Sequence, residues 1–379
     1  MKKEKLRVLH AVYCLGRGGA EKLAIDITRE LNKRDDVEGM LVSFDKTVDY
    51  EYDVSDMNYR FCPAKIRLSL YKKNRISAEN YLEVIDNFKP HIIHTHRYLS
   101  EIITRYYPSR EITYFTHCHD NMVQFGNFSW KTLFSKRKIL NFYEKNYLFR
   151  LYKKSGGTRF IAISNDTKKY FEKNAPRYPV SLLHNAIDYK RFYKKRDGAG
   201  QGDKLRLVNV GNFVEKKNQK FLLDIAKILK DKNIDFELHL LGDGDDRQAL
   251  EDKTNILELN DSVFFHGNVT NVEEFLWTYD IYLHSATYEP LGLVLLEAMA
   301  AGLPVITLDG RGNRDLIEQG KNGYMLFVPN AEAFAEKIMD LWNDQAKHRE
   351  ISRYAQEFAG KFHIKKYVEH LLGLYLKNS

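Results

Sequence analysis

Short apolar runs alternate with helical patterns along the whole chain, and the alternation starts twice. Residues 6–13 form an apolar run, Gly16, Gly18 and Gly19 follow, and residues 20–32 place Leu23, Ile27 and Leu31 at helical spacing. The plan returns at residues 205–210, where Gly211 closes an apolar run before a pattern through Phe221, Ile225, Ile228 and Leu229. Further short runs lie at 39–44, 91–95, 112–116 and 160–163, then at 236–241, 263–266, 281–284, 305–308 and 324–328. Strand and helix in alternation predict parallel sheets covered on both faces, hence an α/β chain of two doubly wound domains. Residues 189–204 are charged, contain Gly198, Gly200 and Gly202 and lack periodicity, which marks a linker. The expected domains are therefore residues 1–188 and 205–361. An amphipathic last stretch, residues 362–376, is expected to form a helix that packs, within residues 362–379, back on the first domain. Ligands of such sheets bind beyond the carboxyl ends of the strands, so the loops that follow strands carry the interest.

Composition narrows the class. A length of 379 residues with 44% hydrophobic content suits two cores. Cys14, Cys62 and Cys118 are too few and too scattered for a disulfide framework or a four-cysteine zinc module. The longest apolar stretch, residues 291–307, is broken by Glu297 and Pro304, so no membrane-spanning helix is expected. Residues 1–19 read as a strand and loop rather than a signal peptide, and the expected location is the cytoplasm.

Charge is unevenly placed. Residues 1–200 carry a net +15 and residues 201–379 a net −7, together the +8 of the chain. A basic half suits an anionic membrane, an anionic substrate or nucleic acid, and a lysine-rich background gives the same sign. With no helix-turn-helix, RNA-recognition or zinc-finger pattern, nucleic acid is not an expected partner. Residues 130–155 hold eight Lys/Arg against one Glu, with Leu133, Leu140, Tyr143, Tyr147 and Leu151 at helical spacing. Such a stretch either lies on an anionic surface or packs on the first sheet.

The most specific chemistry lies in residues 285–300. Glu289 ends a loop, Pro290 suits a first helical turn, and Glu297 follows within an apolar helical pattern where a carboxylate needs a partner. Eight residues at about 1.5 Å rise place the two carboxylates at most about 12 Å apart. Between them the N–H groups of Gly292, Leu293 and Val294 open a helix, a ready anion site. Hydroxyl acceptor, anion site and hydroxyl acceptor in that order match a nucleoside diphosphate sugar. The plain alternative is a helix cap at Glu289 and a solvated Glu297.

The Glu-x7-Glu segment followed by Ala-Gly-Leu-Pro-Val-Ile resembles the retaining GT-B glycosyltransferases of family 4. The likeness runs through Gly18-Gly19-Ala20-Glu21, His94-Thr95-His96, residues 161–164 and 184–188, Val210-Gly211 to Lys217-Asn218, residues 241–244 and Asn322-Gly323-Tyr324. It implies two Rossmann-like domains facing across a cleft, a nucleotide-sugar donor on the second and an acceptor on the first. A UDP-sugar is expected in preference to a GDP-sugar, with no other cofactor. By the same resemblance Lys217 neutralises the departing diphosphate, Glu289 orients the donor sugar, Glu297 holds the ribose, and the loop of Gly18 and Gly19 lies near the donor. His117 stands where relatives carry a histidine facing sugar and acceptor; by residue type alone it is as readily a satisfied core histidine, and Lys217 an ordinary surface lysine. Many relatives carry an arginine where Asn212 stands, so this donor-binding position lacks a charge that Lys216 could supply. Ala186 and Asp315 also depart from the common Gly and Glu, which leaves a non-catalytic sugar-nucleotide or glycan-binding relative as the alternative. The expected role is assembly of a surface polysaccharide or glycolipid on a glycan or polyprenyl-linked acceptor, at the inner face of the cytoplasmic membrane.

Two further patterns attract attention. Asp243-Gly244-Asp245 looks like a metal-binding Asp-x-Asp, but its strand-to-helix position suits a turn. His94, His96, His117, His119 and Asp120 are metal ligands by type, yet their spacing matches no common site, so no metal is expected.

Overall fold

A computed structural model describes residues 4–16, 18–49, 54–69, 73–126, 134–196 and 204–377. The chain divides into two compact units, Met1–Asn185 with Ile364–Ser379, and Ala186–His363.

The first unit is built on β1 (Leu6–Val12), β2 (Val37–Ser43), β3 (Tyr59–Phe61), the short hairpin β4 (Lys65–Arg67) and β5 (Arg75–Ser77), then β6 (Ile92–His96), β7 (Thr113–Cys118), β8 (Arg159–Ala162) and β9 (Val180–Leu182). Seven of these form one parallel sheet in the order β3-β2-β1-β6-β7-β8-β9. The apolar runs read from the sequence are its central strands, buried on both faces because helices cover both. Leu23, Ile27 and Leu31 of the helix Gly19–Leu31 are buried as their spacing predicted. Each contributes about 1.5–3 kcal/mol by leaving water. The terminal helix Ile364–Leu376 lies against that same helix and buries Leu371 and Tyr375.

The second unit holds β10 (Leu205–Val210), β11 (Phe236–Leu241), β12 (Val263–Gly267), β13 (Ile281–His284), β14 (Val305–Leu308) and β15 (Gly323–Leu326). They form a parallel sheet in the order β12-β11-β10-β13-β14-β15. Its order reverses between β10 and β13, as the first reverses between β1 and β6. Loops leaving these adjacent strands diverge to opposite faces and open a crevice at the carboxyl edge.

Several boundaries differ from expectation. Residues 189–192 are a short helix, Tyr189–Phe192, capped by the Asp188 side chain, and the unit boundary falls at Asn185 rather than in a linker. Phe192 buries itself and anchors that segment, while Gly198, Gly200 and Gly202 lie outside the described residues. The helix expected from Leu291 begins at Leu293, because Glu289 bridges to Arg311 and Gly292 takes a left-handed φ of 96°. β3 and β9 escaped notice because three-residue strands carry too short a pattern to register.

The basic aromatic stretch is a helix, Lys136–Lys154, and residues 127–133, Leu133 among them, lie outside the described residues. Its two halves differ. Leu148, Leu151 and Tyr152 enter the core, whereas Leu140 and Phe142 are exposed beside Lys136, Arg137 and Lys138. No described helix is long and apolar enough to cross a membrane.

Candidate active site

In the second unit the loops after β10 and β13 are stitched together. Ser285 Oγ donates to the Lys217 carbonyl at 2.8 Å, and the Thr287 N–H donates to the Lys216 carbonyl at 3.0 Å. Glu289 is held on both sides by backbone, donating its N–H to Gly310 at 2.8 Å and accepting from Gly312 at 3.0 Å. The result is an ion pair at the crevice: Lys217 Nζ donates to Glu289 Oε2 at 2.5 Å, and His284 Nε2 lies 3.2 Å from the same oxygen. Burial alone would raise the Glu289 carboxyl. The His284 contact and the Lys217 charge outweigh it and bring the group down to about 2. His284 is itself lowered by burial, with Glu289 pulling the other way. Glu289 is therefore a carboxylate at neutral pH. Lys217 keeps a fifth of its side chain exposed, and an ammonium has three donors, so an incoming anion can share it.

Gly292 turns the chain into the following helix. A Cβ there would lie 2.8 Å from the Leu295 side chain, and its positive φ disfavours any L side chain. Leu293 and Val294 form the first helical turn, whose N–H groups have no intrahelical acceptor. Glu297 is half-buried rather than enclosed, which corrects the expectation of a core carboxylate. Its charge reaches Tyr282: burial raises that phenol, and the Glu289 and Glu297 charges add to the rise. Asn212 is exposed. Asp243 accepts the Gly244 N–H at 2.8 Å and sits 4.0 Å from Arg247, so its carboxylate is engaged in the turn.

The first unit has its own ion pair at the reversal of strand order. Gly18 caps the helix that carries Gly19 and Glu21, and Arg97 follows β6. Arg97 Nε lies 3.1 Å from Glu21 Oε1, and the Glu21 side chain is buried. A Cβ at Gly18 would run into the Glu21 carboxylate, which explains a glycine there. Burial raises the Glu21 carboxyl, partly offset by Arg97.

Beside this pair stand five histidines. His10 on β1, His94 and His96 on β6, and His117 on β7 share the sheet edge with His119 just beyond it. His96 Nε2 faces His10 Nδ1 at 3.0 Å and His96 Nδ1 faces His119 Nε2 at 2.9 Å. His94 Nδ1 is 2.6 Å from the Tyr375 hydroxyl of the terminal helix. His117 Nε2 donates to Asn185 Oδ1 at 3.0 Å, leaving its Nδ1 buried without a hydrogen-bond partner among the described residues. Burial is the main cause that keeps all five imidazoles uncharged, holding His10 near 3 and His117 near 4 and the other three well below the ordinary range.

Comparison with known proteins agrees with this division. Residues 17–191 match the family described as Glycosyltransferase Family 4, and residues 191–358 match Glycosyl transferases group 1. The fold is that of HepE from Anabaena, solved with UDP and glucose, with a TM-score of 0.78 over 98% of this chain and 100% of that one at 18% identity. The chain is a GT-B glycosyltransferase. It is 27% identical to EpsF of Bacillus subtilis, named as a glycosyltransferase, over 82% of this chain and 80% of that one. It is 32% identical to the N-acetyl-alpha-D-glucosaminyl L-malate synthase of Bacillus anthracis over 48% of this chain and 49% of that one.

Of the residues singled out from the sequence, the glycosyltransferase brings Lys217 and Glu289 into contact, with Gly292 and the Leu293–Val294 turn close behind in the chain. His117 points its nitrogens into the protein, at Asn185 on one side. Sequence reasoning missed His284 and Arg97, each the last residue of a strand or the first beyond it. The pattern that could have found them is position: both close the carboxyl end of a strand at a reversal of order. His10 was missed because an isolated histidine in an apolar run carries no spacing signal.

Proposed function

We propose that this glycosyltransferase moves a sugar from a nucleoside diphosphate sugar, a UDP-sugar in preference to a GDP-sugar, to a glycan or lipid-linked acceptor with retention at the anomeric carbon. The Lys217–Glu289 pair carries the reading. Transfer breaks the bond between the anomeric carbon and the diphosphate oxygen, so negative charge grows on that oxygen. A partly exposed ammonium at the crevice, held by a buried carboxylate, is preorganised to meet it, and such stabilisation is commonly the largest catalytic term. The first-turn N–H groups of Leu293 and Val294 add a second, uncharged set of donors. The acceptor hydroxyl then bonds to the anomeric carbon, and its proton passes to the leaving diphosphate. Glu289 orients the sugar hydroxyls and Glu297 the ribose. Support for a diphosphate donor comes from HepE, whose solved complexes hold UDP, UDP-glucose, or UDP and glucose.

The setting we infer is assembly of a surface polysaccharide or glycolipid, with the first unit docked on the anionic inner face of the cytoplasmic membrane. Phe134, Leu140 and Phe142 are exposed at 81%, 41% and 41% beside three consecutive cations, an arrangement suited to headgroup contact. The deciding experiment for the reaction is a screen of nucleotide sugars for transfer and slow hydrolysis by wild type and Glu297→Gln. Turnover of a UDP-sugar that the variant loses supports the assignment. Equal turnover by both removes Glu297 from the site.

A further inference from the structure

We propose that His96, His117 and His119 form a binding site for a divalent d-block cation of the zinc type. The three residues each offer a ring nitrogen, and those nitrogens lie within 4.8 Å of one another at the carboxyl edge of the first sheet. Four-coordinate zinc holds its nitrogens at 2.0–2.1 Å from the metal, hence roughly 3.3 Å apart. The rings of His117 and His119, stacked at 4.2 Å with planes 18° apart, must turn out of that stack for their in-plane lone pairs to meet on one ion. All three histidines belong to the first unit, whereas Lys217 and Glu289 belong to the second.

Three observations favour a metal over a merely packed cluster. His117 donates through Nε2 to Asn185 Oδ1, which fixes its tautomer and leaves Nδ1 as a bare lone pair, buried and without a hydrogen-bond partner among the described residues. A ring oriented by a hydrogen bond on its far nitrogen is the usual state of a metal-bound histidine. His96 has the same support, because its Nε2 faces His10 Nδ1 at 3.0 Å, and His10 Nε2 in turn faces the Tyr375 hydroxyl at 3.5 Å. His96 Nδ1 and His119 Nε2 face each other at 2.9 Å and share a single proton between them. A cation takes the place of that hydrogen once His96 carries its own on Nε2, donated to His10, and His119 carries its hydrogen on Nδ1 instead of Nε2, so that both rings stay neutral.

The donor set decides the class of ion. Three imidazoles and no carboxylate suit zinc, cobalt, nickel or copper and not magnesium or calcium. Arg97 faces His119 and opposes a dication, but Glu21 balances it through the ion pair at 3.1 Å. His119 is half-buried, so the fourth position opens towards solvent. Three protein ligands with one open position is the arrangement of a zinc ion that binds water or an oxygen ligand.

The test uses the full chain without an affinity tag, stripped of metal and titrated with Co²⁺. One equivalent should bind with the intense visible bands of four-coordinate cobalt, be displaced by Zn²⁺, and ignore excess Mg²⁺. His119→Asn, at a half-buried position, should weaken binding on the order of 100-fold or more. Asn185→Ala, which touches no metal, should weaken it about 10–100-fold by releasing the His117 ring. Far-UV circular dichroism confirms that each variant is folded, and neither readout depends on transferase activity. Absence of stoichiometric Co²⁺, a pale octahedral spectrum, or unchanged binding in His119→Asn overturns the proposal.

Discussion

Both units of this glycosyltransferase place an acid–base ion pair where strand order reverses, but they set the charges in opposite frames. In the second unit the buried member, Glu289, gains enough from His284 and Lys217 that its carboxyl falls to about 2. In the first, burial wins, and the Glu21 carboxyl rises despite Arg97. The difference follows from the number of partners. Glu289 has a cation at 2.5 Å and an imidazole at 3.2 Å on one oxygen, while Glu21 has a guanidinium that is itself more than half exposed. Solvent screens such a partner, so it returns little of the desolvation cost. Similar topology has produced a firmly ionised pair in one unit and a weakly held one in the other. The firmly held pair is the one suited to meeting a leaving diphosphate.

Lys217→Ala should break that contrast most severely. Turnover is expected to fall on the order of 10²–10³. The stranded Glu289 charge should also lower stability by about 3–5 kcal/mol. Arg97→Ala is expected to cost far less stability, since its guanidinium is more than half exposed and offsets only part of the burial of Glu21. Equal losses in a paired melting experiment would contradict the comparison.

Acid should separate the units next. The Glu289 carboxyl lies at about 2 against an ordinary 4.5, so its contribution is full above the ordinary value and fades as pH falls towards 2. That contribution is on the order of 3 kcal/mol. Buried neutral histidines act in the same direction but earlier, from 6.5 downwards, because the unfolded chain binds protons that the folded one refuses. Five such rings in mutual contact should make the first unit the steeper loser between pH 6.5 and 4.5. The second unit buries His284 and His348 in separate places. Hydrogen exchange of metal-free protein across that range checks the order, and earlier exposure of the second unit would refute it.

Smaller effects sharpen the functional side. Each of Lys136→Gln, Arg137→Gln and Lys138→Gln should remove about 1 kcal/mol of binding to anionic vesicles, roughly fivefold, and added salt should mimic the change. Co-sedimentation that does not distinguish anionic from neutral lipid would return the helix to a packing role alone. Finally, omission of Mg²⁺ and Mn²⁺ should alter turnover by less than about twofold, because a lysine and a helix start serve the diphosphate. A strict requirement for either ion would reopen Asp243.

The chain announced its architecture well. Apolar runs at residues 205–210, 236–241, 281–284 and 305–308 are strands with those bounds, since a strand buried on both faces must be apolar throughout. Lys217 and Glu289 were legible as separate candidates, but their contact was not. It depends on β10 and β13 being neighbours although 70 residues of chain separate the strand ends, and periodicity says nothing of strand order. The histidines show the same limit more sharply. His94 with His96 and His117 with His119 were noticed, yet spacing along the chain hid a cluster assembled by the register of β1, β6 and β7. The helix Lys136–Lys154 was read as one stripe, and the structure divides it, because only its second half reaches the core.

The terminal helix has a consequence for synthesis. Its Tyr375 hydroxyl meets His94, so the first unit borrows a residue made only after the whole second unit. On the ribosome, β1 to β9 must wait through the translation of residues 186–363 before their last helix arrives. The first-made half is thus the last to be finished. During that interval the face of the helix Gly19–Leu31 that meets the terminal helix lacks its cover, which leaves this half open to a chaperone. A stop codon ahead of Ile364 would therefore damage the unit whose strands were made first.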